Sequence, residues 1–143
     1  MGCKVSGFEG VEKLFDDLVA NTDRMTLEAV NAAAPYLAES AEKAVKSAAH
    51  KGYATGGLAK SFTATKAKKN QYGTYAVVKP VGKDDKGVSY GARAAYLEYG
   101  TTVNGRLHNE SAPWRQKAVN NAKEKCQKAM EESIYKELDK IGG

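Results

Sequence analysis

The apolar residues of this chain change period twice, and few folds accommodate that pattern. From Phe8 to Ala48 they recur every three or four positions, from Leu58 to Tyr90 closer to every second, and from Trp114 to Ile141 every three or four again. The outer stretches therefore read as helix and the middle one as strand. In the first stretch Phe8, Val11, Leu14, Phe15, Leu18 and Val19 share one face and predict an amphipathic helix over 8–20. The polar run Asn21-Thr22-Asp23 reads as a break, with Asp23 as the N-cap of a second helix over 23–51. Its stripe of Val30, Ala33, Ala34, Leu37, Ala41, Ala44, Val45 and Ala48 is made of small side chains, which lets another helix approach closely. Pro35 removes a backbone donor and predicts a kink, and Gly52 suits the left-handed position that ends a helix.

Thr55-Gly56-Gly57 is turn chemistry, after which a strand is expected from Leu58 to Thr65 and a second from Tyr72 to Lys79, with a lysine-rich connection between them. Val88–Tyr90 would add a short third strand, giving a small sheet over 58–90. A short helix over 92–99 carries Ala92, Ala95, Tyr96 and Tyr99 on one face, Gly100 stops it, and 101–111 reads as a polar, mobile loop. Pro113 then opens a last helix over 113–139. The strands are consecutive and tightly connected, which excludes βαβ crossovers. The expected class is α+β: a small antiparallel sheet, a hairpin plus a short third strand, packed against two long helices in a single domain of 143 residues.

Composition narrows the chemistry. A net charge of +5 permits weak attraction to polyanions and identifies no partner. Cys3 and Cys126 stand near opposite ends with no Cys/His cluster, which argues against a disulfide scaffold or a zinc module and for a reducing compartment. No stretch approaches the ~20 apolar residues of a membrane span. Residues 1–6 read as a disordered start, although Gly2 to Ser6 fits an N-myristoylation pattern.

Most motifs that suggest catalysis fail on context. Gly87-Val88-Ser89-Tyr90-Gly91 matches the nucleophile elbow, but Lys83-Asp84-Asp85-Lys86 before it cannot form the buried strand the elbow needs. Gly52 and Gly57 have the outer spacing of a phosphate loop, yet Leu58-Ala59 stands where Lys and Ser/Thr belong. The acid and base candidates His50, His108, Asp84, Asp85 and Glu98 are not paired by any motif spacing. No catalytic residue, metal ligand or cofactor is expected. Lys66, Lys68 and Lys69, near Tyr72 and joined by Lys79 and Lys83, are candidates for contact with a nucleic-acid backbone, and a small basic DNA-binding module is the alternative reading.

One constellation stands out. Tyr96, Glu98, Tyr99, Gly100 and Thr101 are followed, across the polar stretch, by Pro113, Trp114 and Arg115. Aromatic rings supply buried area with a polar handle and arginine supplies directional bonds, a combination that suits a protein contact; the competing reading packs Tyr96 and Trp114 into the core.

Four motifs occur in order: Gly7-Phe8-Glu9-Gly10 entering the first helix, Thr55-Gly56 with Leu58 entering the sheet, Tyr96-Leu97-Glu98-Tyr99-Gly100-Thr101, and Ala112-Pro113-Trp114 with Ala118. In these, over about Gly7 to Ile141, the chain resembles the neck or tail-completion proteins of long-tailed bacteriophages, the gene-product-ten-like tail components. The resemblance implies a non-enzymatic morphogenesis protein without cofactor. Its partners would be further copies of itself in a ring, possible monomers in solution, a head-side connector and tail-side proteins. It would act in the virion and, during assembly, in the bacterial host cytoplasm.

Overall fold

A computed structural model describes residues 9–48 and 56–142. The expected disordered start, the acylation pattern and the helix stop at His50–Gly52 lie outside these residues. The class is α+β, as expected.

Two long helices dominate. α1 spans Glu9–Ala48 and α4 spans Arg115–Gly142. They pack antiparallel: Arg24 meets Glu137, the Cys126 thiol points to the Ala33 carbonyl at 3.4 Å, and Ser40 Oγ donates to the Ala118 carbonyl at 2.7 Å. The contact is lined by Ala29, Ala33, Ala34 and Ala41 facing Ala118 and Ala122, all buried, so the small-residue stripe does bring the helix axes together.

The break expected at Asn21-Thr22-Asp23 does not occur, and 8–20 and 23–51 are not separate helices. Asn21 Nδ2 donates to the Asp17 carbonyl at 2.6 Å, and Arg24 donates from Nε to Asn21 Oδ1 at 3.3 Å. These polar side chains find partners three and four positions away along the helix surface, which supports the helix where a cap would have ended it. Pro35 sits inside α1 without interrupting it.

The expected strand from Leu58 begins instead as a short helix, α2, Gly56–Lys60. Leu58 and Ala59 are both buried. Adjacent residues on a strand face opposite ways, so a ribbon covered on one side only could not bury both, whereas a helical turn can; the Ser61 hydroxyl closes that turn on the Leu58 carbonyl at 2.6 Å.

Among the described residues, three two-stranded ladders stand in place of the single sheet. β1 (Phe62–Ala64) pairs antiparallel with β4 (Val78–Pro80), and β2 (Lys68–Asn70) with β3 (Gly73–Tyr75). The two ladders form successive tiers of one ribbon, joined where Thr65 and Val77 exchange hydrogen bonds. The lysine-rich connection is thus itself partly strand. The ribbon lies along α1: the Ala67 amide donates to Asn31 Oδ1 at 2.7 Å, and the Thr26 and Thr74 hydroxyls meet at 3.1 Å.

Val88–Tyr90 forms no third strand beyond a lone bridge between Lys83 and Ser89. Asp84 organises this loop by accepting the Lys86 and Val88 amides and the Arg93 guanidinium, the last at 2.7 Å. Burial raises the Asp84 carboxyl, and these bonds together outweigh it, leaving the group below the ordinary aspartate value. Ser89 then caps α3, Tyr90–Tyr99, its hydroxyl accepting the Ala92 amide at 3.1 Å.

The stretch 101–111, expected as a mobile loop, contains a hairpin. β5 (Thr101–Val103) pairs with β6 (Arg106–Asn109) around Asn104-Gly105, both at positive φ (51° and 75°), with a bulge between Thr101 and Thr102. The main core lies where α2, α3 and the start of α4 close over α1, with Val45, Leu58, Leu97 and Trp114 as its larger side chains.

Candidate protein-interaction site

The constellation over 96–101 and 112–115 is one physical unit, because the end of α3 is clipped to the start of α4. Glu98 Oε2 accepts the backbone amides of Trp114 at 2.8 Å and Arg115 at 3.1 Å. These belong to the N-terminal amides that a helix cannot satisfy internally, and a carboxylate there also complements the positive end of the helix. The Ala112 amide donates to the Leu97 carbonyl at 2.7 Å, tying the returning chain to the same turn.

Trp114 belongs to the core. Its indole nitrogen donates to the Ala94 carbonyl at 3.1 Å, and its ring meets Phe62 edge to face with centroids 5.1 Å apart. Gly100 accomplishes the exit from α3 at φ 77° and ψ 177°, a region almost closed to side chains, with its amide on the Tyr96 carbonyl. Glu98, Gly100 and Trp114 therefore serve the fold.

The rings of α3 do not follow Trp114 inward. Ala94 and Leu97 form the buried face, which turns Tyr96 and Tyr99 outward at 43% and 70% exposure. Arg115 Nη1 donates to the Tyr99 hydroxyl at 2.9 Å, so an aromatic ring and a guanidinium are presented together; Pro113 is exposed beside them and Thr101 is half-buried.

An open groove of about 410 Å³ runs beside this face, with Leu37, Ala41, Trp114 and Ala118 among its lining residues and Lys79, Tyr99 and Arg115 at its polar edge. A second, of about 480 Å³, continues along α4 past Ala122, Cys126, Met130 and Ile134. Leu37 and Val119 line both, so the two form one largely apolar trough over the α1–α4 seam. Burial pushes the Cys126 thiol up from its ordinary value, against a hydrogen bond to the Leu37 backbone, and so withholds the reactive thiolate.

The polyanion candidates do not gather into one patch. Lys68 and Lys69 are consecutive strand residues and point to opposite faces of the ribbon, and Lys69 is already paired with Asp23 of α1. Lys66 is exposed in the link between the tiers, and Lys79 lies at the other end of the ribbon, by the groove. Ser89 is occupied as a cap, and His50 lies outside the described residues. Among the described residues no three His, Cys, Asp or Glu side chains are grouped to hold a metal ion, and no helix is long and apolar enough to cross a membrane.

The sequence reading of two long helices overhanging a small sheet expects an apolar face that another copy could cover, but it does not place the trough. Ala122, Cys126, Met130 and Ile134 are apolar positions of α4 in the three-and-four pattern, which assigns them to packing without saying that α1 covers only part of them, and Val119 stands outside that pattern. Comparison with protein-family models, curated proteins and solved structures finds no match to this chain.

Proposed function

We propose that this chain is a structural morphogenesis protein of a phage or prophage, joining head to tail by assembling into a ring through protein contacts. The reading begins from the four ordered motifs of the sequence. The observation that carries it is the outward pair Tyr96 and Tyr99, held on a helix that Glu98 fixes to α4 and set beside an open apolar trough. Two tyrosines on a rigid support lose little conformational freedom on docking, as an assembly surface requires. Other copies of this chain, a head-side connector and tail-side proteins are the partners; the virion is its site of action. Deleting the gene in its phage is expected to leave filled heads and separate tails, and normal infectious particles from the deletion would refute the reading.

Tyr72, 87% exposed beside the lysines of the ribbon, favours a second reading, contact with a nucleic-acid backbone. That reading requires binding to a short DNA duplex that weakens steeply with salt, and no binding at ~50 mM salt would dismiss it.

A further inference from the structure

The two long helices are unequal, and their register leaves one end of α1 beyond its partner. Arg24 stands opposite Glu137, Ala33 opposite Cys126 and Ser40 opposite Ala118, so the last residue of α4, Gly142, falls opposite about positions 16 to 19 of α1. The start of α1, from Glu9, runs on past the end of α4 for roughly 10–15 Å at 1.5 Å per residue. Val19, at the point of departure, is 73% exposed. In this extension the sequence puts Val11, Leu14, Phe15 and Leu18 at the three-and-four spacing of a single helix face. It also carries Glu9, Glu12, Asp16 and Asp17 against Lys13, a net charge of −3.

The trough has the opposite character. Its lining is mostly apolar, the charged residues along it are Lys79, Arg115 and Lys123 against Glu98 and Glu131, and the α4 segment that forms it, Arg115 to Ile134, carries Arg115, Lys117, Lys123, Lys125 and Lys128 against Glu124, Glu131 and Glu132, a net charge of +2. From Arg115 to Ile134 it follows α4 for roughly 28 Å, long enough to seat the extension.

The two surfaces cannot meet within one molecule. Leu37, at the centre of the trough, lies on the same uninterrupted helix as Leu18, roughly 28 Å further along. A continuous helix does not fold back on itself, so the extension can reach only another copy's trough.

We propose that the acidic, amphipathic start of α1, Glu9 to Leu18, docks in the basic-flanked apolar trough over the α1–α4 seam of a second copy of this chain. This rests on the ring-forming role proposed above and assigns the contact that builds the ring. It is a helix-in-groove association with opposite charges at the margins, which set orientation and speed encounter. Because donor and acceptor are different surfaces at separate places on the chain, the contact is head-to-tail: each copy gives one helix end and receives another, and repetition closes a ring or extends a filament.

The test uses the full chain with Cys3→Ser and Cys126→Ser as background. One preparation carries Phe15→Cys and the other Val119→Cys, and the two are mixed under mild oxidation. The expected product is a disulfide dimer of unlike chains, about tenfold over either like pair. In parallel, sedimentation of Val119→Asp and of Phe15→Asp should each show self-association weakened about tenfold with the thermal transition of the monomer retained; Val119 is 48% exposed and tolerates the charge. A chain that stays monomeric at every concentration and yields no unlike dimer overturns the proposal, as does self-association that both aspartate variants leave unchanged. Phage genetics separates the two levels. If deletion leaves heads and tails unjoined but the Val119→Asp chain restores them, the contact is refuted and the joining role stands. If deletion is harmless, the joining role is refuted, and the unlike-chain disulfide still decides the contact.

Discussion

Removing the Glu98 carboxylate should destabilise the fold measurably, and the size of the loss follows from two hydrogen bonds. Glu98 Oε2 accepts the amides of Trp114 and Arg115, two donors at the open end of α4. Losing a side-chain cap costs about 0.5–2 kcal/mol, and losing a negative charge at the positive helix end about 0.3–1 kcal/mol. Glu98→Ala loses both, for an expected total of about 2 kcal/mol, whereas Glu98→Gln keeps an acceptor oxygen and should lose about half of that. With an unfolding entropy near 2.1 cal/mol/K per residue, a chain of this length has about 0.3 kcal/mol/K at its midpoint, so Tm should fall by about 7 °C for Ala and about 3 °C for Gln. Thermal circular dichroism reads the shift, and urea unfolding with an unchanged slope would show that the native state, and not the compactness of the unfolded one, has been altered. If Glu98→Ala unfolds within about 1 °C of the parent, the capping role is wrong. If it also abolishes head–tail joining at unchanged stability, Glu98 contacts a partner instead.

Other substitutions separate the residues that build the site from those it presents. Trp114→Ala should cost about 3–5 kcal/mol in chemical unfolding, and Trp114→Phe, which fills most of the space but drops the bond to the Ala94 carbonyl, clearly less; equal costs would contradict the core assignment. Gly100→Ala should cost about 1–3 kcal/mol in the same assay because φ is 77° and ψ 177°, and a neutral result would mean that the turn is not held in that conformation. Glu137, with a side chain 5% exposed, is held below the usual glutamate value by a hydrogen bond with the Glu28 carboxyl, then by Lys140 and Arg24, against the opposing pull of burial. A depressed native value stabilises the fold above the unfolded carboxyl pKa, near 4.3, and that contribution is lost as pH falls through the native value. Tm measured from about pH 6 to pH 3 should therefore fall less steeply for Glu137→Gln than for the parent, and parallel curves would refute the assignment.

The long helices were legible because their apolar period persists over many turns, while their ends and junctions depended on partners that period does not describe. Asn21-Thr22-Asp23 has the composition of a break, but Asp17 and Arg24 lie within reach of Asn21 once the helix continues, and local bonds then favour continuation. The hairpin over 101–109 was available in the sequence: Asn104-Gly105 is the dipeptide that tolerates two positive φ values in succession, and a polar composition concealed it. The cap on α4 was not available, because its acceptor is sixteen positions away on another element. A capping residue sought next to Pro113 would have been sought in the wrong place.

The division between core and surface rings shows why the site itself was only half readable. Ala92, Ala95, Tyr96 and Tyr99 do share a helix face, as their spacing requires, but spacing identifies a face without saying which way it points. Leu97 decides the matter. It is 1% exposed, and with Ala94 it forms the competing face three positions apart, so burying that face turns both tyrosines outward. Trp114 has no such competitor on its own segment and turns inward against Phe62 and the Ala94 carbonyl. An α3 anchored on its aliphatic side leaves its aromatic side at the surface beside an apolar trough, with the Tyr99 hydroxyl held by Arg115. That exposed, braced pair of rings is the surface the proposed docking would use.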